Sequence, residues 1–570
     1  MQKVKEEIIK ILSKIITLNK KEIESMIEIP PEHTLGDFSF PCFTLSKFYK
    51  KNPIEISKEV SSKIILPRKS LIEKIEAKGP YINFFINYSK ASQLLLKEII
   101  SKGQNYGKTK TKKQRIMIEY SSPNTNKPLH IGHLRNDSIG MSLSNILEFL
   151  DHKVIRTAII NDRGIHICKS MLAYQKWGNK TTPESTKTKS DHFVGNFYVL
   201  FEKELKINHE LENEIHIMLK KWEDKNKEIL RLWKKMNSWV LEGMKQTYKI
   251  FNSRFDFWTY ESQIYNKAKP ILSYGIKSNI FIKNEKGDLI AKLEPDLPDK
   301  VVLRADGTSI YITQDMVLAK IRFEKYKIGK LIYVVASEQN LHFQQLFKIL
   351  QLLNYKWCKN CYHLSYGLVN LPSGRMKTRE GTVIDADDLI NEEKELAKKE
   401  ILSRSKNIDK KELEDRAKKI ALAAIKYYLL KIDPIKDVLF DPNKAISFEG
   451  DTGPYIQYAL TRCYGIISKT KNWNQEYSNS NLQNEEKLLI RTLAEFHNII
   501  KKASNDLKPS YICNYAFELA TNFNNFYEKC NVLNIEDRKI RDFRITLVKS
   551  AKIVLENSLK LLNIEPIQRM

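Results

Sequence analysis

A chain of 570 residues is too long for one hydrophobic core, so about two to four domains are expected. With 42% hydrophobic and 29% charged residues it has the composition of a soluble globular protein, and no apolar run approaches the ~20 residues of a membrane helix. The formal charge of +27 points toward a polyanionic partner, although lysine, isoleucine and asparagine abound throughout, as an AT-rich coding bias alone would produce.

Seven cysteines, at 42, 168, 358, 361, 463, 513 and 530, are scattered and odd in number, which argues against a disulfide framework and for a reducing compartment. The amphipathic start, Met1 to Lys10, lacks the apolar core of a signal peptide, so a cytoplasmic location and no membrane partner are expected.

In chain order, residues 1 to about 100 read as a small α+β unit. Helical patterns at 3–17 and 54–65 flank a polar turn at His33–Phe38, and Gly79-Pro-Tyr-Ile-Asn83-Phe-Phe-Ile86 reads as an edge strand, with a helix at 90–101 leading out. Gly103-Gln-Asn-Tyr-Gly107-Lys108-Thr109 imitates a phosphate loop, but its glycines stand one residue too close and a helix precedes it, so it reads as a linker.

From 115 the pattern is strand, helix, strand: Arg115–Glu119, Leu134–Leu150 and Lys153–Ile160, a βαβ unit of a parallel sheet. Between the first two lies Ser121-Ser-Pro-Asn124-Thr-Asn-Lys127-Pro-Leu-His130-Ile-Gly132-His133-Leu-Arg135. His130 and His133 fall at a helix start, where unpaired backbone N–H groups and the macrodipole favour an anion, and Gly132 leaves room for a flat ligand. The second strand ends in Asn161-Asp162-Arg163-Gly164, at the carboxyl edge where open α/β sheets bind ligands.

Residues from about 170 to 290 read as a helical insertion, with His192 and the tryptophans as packing. The sheet is expected to resume at Val301–Asp315, then at Leu331–Ala336, leading to Ser337-Glu-Gln339 and a helix carrying His342, and at His363–Leu371, leading to a cationic loop, Arg375-Met376-Lys377-Thr378-Arg379. These runs end at one sheet edge, and their polar ends converge on one cleft. If Thr313 caps the next helix, Asp315 sits in its first turn, kept ionised by the dipole. Cys358-Lys-Asn-Cys361 lacks a second ligand pair, so no structural metal is expected. Beyond 390, patterns at 412–432, 455–470, 484–506, 511–530 and 537–563 predict an α-bundle, either scaffold or nucleic-acid platform. Arg538, Arg541 and Arg544, three apart, make either a backbone-contacting stripe or a solvated one.

These residues together resemble one family. His130-Ile-Gly-His133 is similar to the class I aminoacyl-tRNA synthetase tetrapeptide. The preceding Ser121–Leu129, with Ser309-Ile-Tyr311-Ile-Thr-Gln-Asp315, Gly453-Pro-Tyr-Ile-Gln-Tyr458 and the closing Leu561–Met570, resembles the arginyl-tRNA synthetases. The resemblance implies a Rossmann-like α/β parallel-sheet catalytic domain at 101–390, a tRNA-contacting N-terminal α+β domain at 1–100, a helical connector at 391–455 and an all-α anticodon-binding domain at 456–570. It implies a monomer that activates L-arginine with ATP, taken with Mg²⁺, and passes it to the 3′-terminal adenosine of its tRNA.

By the same resemblance His130, Gly132, His133, Met376 and Lys377 hold ATP, and His130, His133, Lys127, Arg375 and Lys377 act in catalysis. Thr378 stands where the family's loop usually carries its second lysine, and Lys127 is the candidate to supply that charge. Glu119, Asn124, Tyr311, Asp315 and Gln339 are the arginine-binding candidates, and Asn83 with Arg538, Arg541 and Arg544 the tRNA-binding ones. Two rivals are another class I synthetase, such as the cysteine or glutamate enzyme, and a non-catalytic RNA-binding paralogue.

Overall fold

Strands whose side chains are apolar on both faces must be covered on both faces, and the runs at 115–119 and 153–160 meet that condition by lying inside a parallel sheet. In the computed structural model, which describes residues 2–109, 111–307, 310–370, 372, 384–404 and 407–570, the strands in chain order are β1 (Phe38–Pro41), β2 (Ile72–Lys78), β3 (Tyr81–Ile86), β4 (Arg115–Glu119), β5 (Lys153–Ile160), β6 (Phe257–Tyr260), β7 (Phe281–Lys283), β8 (Leu289–Ala291), β9 (Lys300–Leu303), β10 (Lys330–Ala336), β11 (Cys361–Tyr366), β12 (Val369–Asn370) and β13 (Val438–Leu439). The central sheet runs β11-β10-β4-β5-β6, every neighbouring pair parallel. From β4 the chain moves outward through β5 and β6, then returns to β10 on the other side. This reversal between β4 and β10 opens a crevice at the carboxyl ends of the strands.

Four expectations need correction. Tyr81–Ile86 is the middle strand of the order β1-β3-β2, because Gly79-Pro80 is the turn of a hairpin whose other strand, Ile-Glu-Lys-Ile-Glu-Ala-Lys, is too charged to read as one. The helical insertion ends at Phe251, after which the four-residue aromatic strand β6 rejoins the sheet. β9 pairs with β8 in a separate antiparallel sheet of three strands, so 301–303 does not extend the central one. Finally, the helix Tyr311–Tyr326 has Ile310 as its N-cap; Thr313 lies inside it, its hydroxyl donating to the Val302 carbonyl, and Asp315 is past the first turn.

The helix Ile131–Phe149 packs against β4, β5 and β10, and is buried on nearly every side. Gly140 lets it touch the sheet: an added Cβ would stand 2.3 Å from the Tyr120 ring. The C-terminal helices Gly453–Lys469, Asn484–Asp506, Ser510–Lys529 and Arg538–Leu561 fall close to the predicted spans. They share one apolar cluster with the central sheet, in which Ile118 and Ile146 join Leu460 and Val554. Polar ties cross the same seam, from the Tyr106 hydroxyl to the Leu493 carbonyl at 3.0 Å and from the Ser142 hydroxyl to the Leu561 carbonyl at 2.9 Å. Among the described residues no helix is long and apolar enough to cross a membrane.

Arg135, fully buried on the Ile131–Phe149 helix, donates to the carbonyls of Gly367, Leu368, Pro434 and Lys436 at 2.5, 3.0, 3.2 and 2.6 Å. It joins the end of the sheet to the connector, where β12 pairs with β13. Arg135→Leu would leave those carbonyls without their charged donor. We expect a loss on the order of 3 kcal/mol or more, read as a lower urea midpoint at unchanged m-value.

Candidate active site

The start of the Ile131–Phe149 helix is built by its two histidines. The Gly132 N–H donates to His130 Nδ1 at 3.1 Å, and the His130 N–H donates to His133 Nδ1 at 3.2 Å, a reciprocal capping box that puts the rings 4.0 Å apart. An Nδ1 that accepts carries no proton, so each neutral ring carries its proton on Nε2. Burial, with Lys127 adding to it, pushes His130 down to about 3; burial and the charges of His130 and Lys127 push His133 well below its ordinary value. Both rings are therefore neutral Nε2–H donors at neutral pH. Burial also lowers Lys127.

The segment after the cationic loop is laced to this helix start. The Ile131 N–H donates to the Ile384 carbonyl at 3.2 Å and the Ala386 N–H to the Leu129 carbonyl at 3.0 Å. Arg375, Met376 and Lys377 lie outside the described residues, as does Ser309. A small cavity of about 160 Å³ is lined by Lys127, His130, His192 and Asp385. His192 thus sits beside the predicted site instead of packing in a core. Its Nε2 is 3.0 Å from Asp387, whose carboxylate raises it. Asp191, His192 and Asp387 also bring possible metal-ligand atoms within 4.8 Å of one another. Lys189 Nζ already meets Asp191 at 3.0 Å and Asp387 at 2.6 Å, so an ammonium occupies the cationic place in that cluster. No local sequence signal marks this cluster, because Asp387 comes from a distant stretch.

At the carboxyl ends of β4, β5 and β6 the side chains are acidic. Glu119, buried at the end of β4, is ion-paired with the fully buried Arg322; burial raises its carboxyl and Arg322 opposes the rise. Asp162 accepts from the Ser262 hydroxyl and N–H at 2.6 and 2.8 Å. Glu261, just beyond β6, accepts from Gln314 at 3.0 Å and stands 3.8 Å from Arg163. Asp315 is bonded to His342 Nε2 at 2.7 Å and is near enough to Glu119 and Glu261 to raise both. Asn124 pairs through its backbone with Asn161, which fixes the polar turn against the end of β5. Tyr311 opens its helix and is 62% exposed, and Gln339, exposed, closes the turn after β10. Sequence reading missed Glu261, Arg322 and a site role for His342. Only His342 offered a signal, three residues beyond Gln339.

The expected tRNA-contacting residues fare differently. Asn83 is buried and accepts from the Ser39 hydroxyl at 2.7 Å, so the strand turns it inward. Arg544 is also buried, held by Glu486 at 2.7 Å and the Asn531 carbonyl at 2.7 Å, which breaks the proposed stripe. Arg541 lies against Asp542 at 3.0 Å, and Arg538 is mostly exposed.

Comparison with known proteins matches residues 95–442 to the catalytic domain of the class I tRNA synthetases for arginine. Residues 2–86 match the arginyl-tRNA synthetase N-terminal domain, and 456–570 the DALR anticodon-binding domain. The arginine–tRNA ligase of Treponema denticola is 43% identical over 94% of this chain and 93% of its own length. That of Borrelia hermsii is 40% identical over the whole of both. Among solved structures, Thermus thermophilus arginyl-tRNA synthetase superposes with a TM-score of 0.83 at 24% identity, with both chains fully covered, which shows the fold. The Plasmodium falciparum enzyme superposes at 0.77 with 20% identity, over 100% of this chain and 99% of its own.

Because His130 is neutral when folded down to about pH 3 but ionises near 6.5 when exposed, the unfolded chain binds more protons between those values. Its contribution to stability is therefore present above pH 6.5 and falls as pH drops toward 3. The melting temperature of the unliganded protein should decline on acidification from pH 7 to pH 5 by more than that of His130→Asn; parallel curves for the two would refute this.

Proposed function

The chain belongs to the class I arginyl-tRNA synthetases, and from that premise we propose how its cleft divides the work. It is an arginine–tRNA ligase: the carboxylate of L-arginine attacks the α-phosphate of ATP, pyrophosphate leaves, and the arginyl group passes from the adenylate to the 3′-terminal adenosine of its tRNA. In our reading ATP enters as its magnesium complex and the Nε2–H groups of His130 and His133 meet its phosphates, where charge grows as pentacovalent phosphorus forms. Neutral donors held in place by backbone caps need no reorganisation during the step. Gly132 gives the nucleotide its close approach, and Lys127, with Arg375, Met376 and Lys377, is assigned to the pyrophosphate side.

Arginine carries two positive charges, on its α-ammonium and its guanidinium. The observation that carries our assignment is the gathering of Glu119, Glu261 and Asp315 beside the strand ends, where Asp315 is close enough to raise both glutamates. The two cationic groups of arginine, placed there, relieve that repulsion. Asp315 is the carboxylate for the guanidinium, which takes over the place His342 holds in the free protein. Glu119 and Asn124 receive the α-amino end, with Tyr311 and Gln339 at the mouth.

For the other parts of the chain we propose a tRNA-contacting unit at 1–100, a catalytic domain at 101–390, a connector at 391–455 and an anticodon-binding bundle at 456–570. Asn83 and Arg544 are buried, and Arg541 and Arg538 both lie against Asp542, at 3.0 and 3.8 Å; with its side chain 65% exposed, Arg538 is the arginine of that group placed to meet tRNA from the surface. We further propose that the enzyme acts as a cytoplasmic monomer away from membranes.

Arginine-dependent exchange of pyrophosphate into ATP, measured with tRNA present, tests these roles. His130→Ala should lower the exchange rate by ~10²–10³ while tRNA binding is kept. Asp315→Asn should raise the arginine KM by roughly tenfold to a hundredfold, the worth of one charge-assisted bond. Unchanged exchange in the first, or an unchanged KM in the second, would remove that residue from its assigned role.

A further inference from the structure

A second cavity, of about 860 Å³, lies at the far end of the Ile131–Phe149 helix from His130. At ~1.5 Å per helical residue the two are about 27 Å apart. Its walls are the linker at 104–108, the helix end at Asn145 to Phe149, the turn from Lys249 to Arg254, one face of the helix Lys410–Leu430, and the chain from Asn557 to Pro566. The volume suits a ligand of nucleotide size.

The charge of this cavity is one-sided. Seven cationic side chains and three carboxylates line it, and the carboxylates are already engaged. Glu148 holds Arg156 through two bonds of 2.8 and 2.5 Å, while Asp415 and Glu565 each hold Lys419 at 2.9 Å. Lys108, Lys249, Arg254, Lys418, Lys426 and Lys560 are left in excess among the described lining residues. Lys426 is only 3% exposed, and one of its three N–H groups is met by the Asn563 carbonyl at 2.8 Å. Burial pushes it down to about 7, so an anion beside it would hold its proton. Burying an ammonium is costly unless opposite charge meets it. One carboxylate would answer one or two of these cations, whereas clustered phosphates answer them together. Asn105, Asn145 and Asn252 add amide groups, and Phe149, Ile250 and Leu561 an apolar wall, for the rest of such a ligand.

We propose that this cavity is a second phosphate-recognition site, remote from the adenylate chemistry, that takes a run of phosphates from a free nucleoside polyphosphate or from the tRNA strand. Neither His130 nor the arginine-binding carboxylates line it, so it stands or falls apart from the reading of the active site.

The probe is inorganic triphosphate, titrated calorimetrically into the full-length protein. The comparison variant combines Lys249→Gln, Lys418→Gln and Lys560→Gln, all exposed positions, and leaves buried Lys426 in place to preserve folding. The wild type should bind triphosphate, and the triple variant should bind it about tenfold or more weakly while melting normally and keeping pyrophosphate exchange. Bound tRNA that blocks triphosphate would identify the strand as the source; undiminished binding with tRNA bound would identify a free ligand. No binding to the wild type, or equal affinity in the triple variant, would overturn the proposal.

Discussion

Two backbone N–H groups at the start of one helix set the chemistry of the cleft. Those of His130 and Gly132 are among the donors every helix leaves unpaired at its beginning, and here each is received by a histidine Nδ1. That exchange fixes both ring orientations and leaves Nε2 as the donor on each. It also makes the rings part of the helix cap, so their placement is as rigid as the helix itself. One turn later Arg135 ties the same helix to the sheet end and the connector, and Ile384 to Ala386 thread against its start. The walls of the cleft are referenced to a single buried rod.

The chain's excess of positive charge is not all on its surface. Arg135 and Arg322 are fully buried; four carbonyls meet Arg135, while Arg322 meets the Glu119 carboxylate through one nitrogen only. Met in this way, an interior guanidinium holds separate elements in register, since moving any of them would strand a buried charge. The acids show the opposite arrangement. Glu119, Glu261 and Asp315 crowd together with Arg163 and Arg322 only partly offsetting them, an expensive arrangement for a free protein and a favourable one for a site that receives two cationic groups.

What the sequence made legible follows the strength of local periodicity. The βαβ unit, the helix start at His130 and the C-terminal helices carry apolar patterns long enough to read, and the ordered motifs around them point to one family. The misses are tertiary. β2 is a run of charged residues made a strand by its hairpin partner, and β6 is four aromatic residues made a strand by β5. Asn83 and Arg544 are polar residues of types usually found outside, yet Ser39 and Glu486 receive them inside. The cluster of Lys189, Asp191, His192 and Asp387 joins stretches nearly two hundred residues apart, and no spacing rule links them.

The C-terminal helices cannot be regarded as an independent appendage to the catalytic sheet. Their apolar cluster is continuous with that of β4 and the Ile131–Phe149 helix, and the end of the last helix offers carbonyls outside the bundle: Leu561 to Ser142 on the Ile131–Phe149 helix and Asn563 to Lys426 on the Lys410–Leu430 helix. Moving the bundle relative to the sheet would expose apolar surface and strip a buried ammonium of its acceptor at the same time. The two therefore move as one body on the scale of the cleft, and whatever the bundle binds is held at a set distance from His130. For an enzyme that must bring the far end of a long RNA to the carbonyl carbon of the arginyl-adenylate, that fixed distance is itself part of the catalytic geometry.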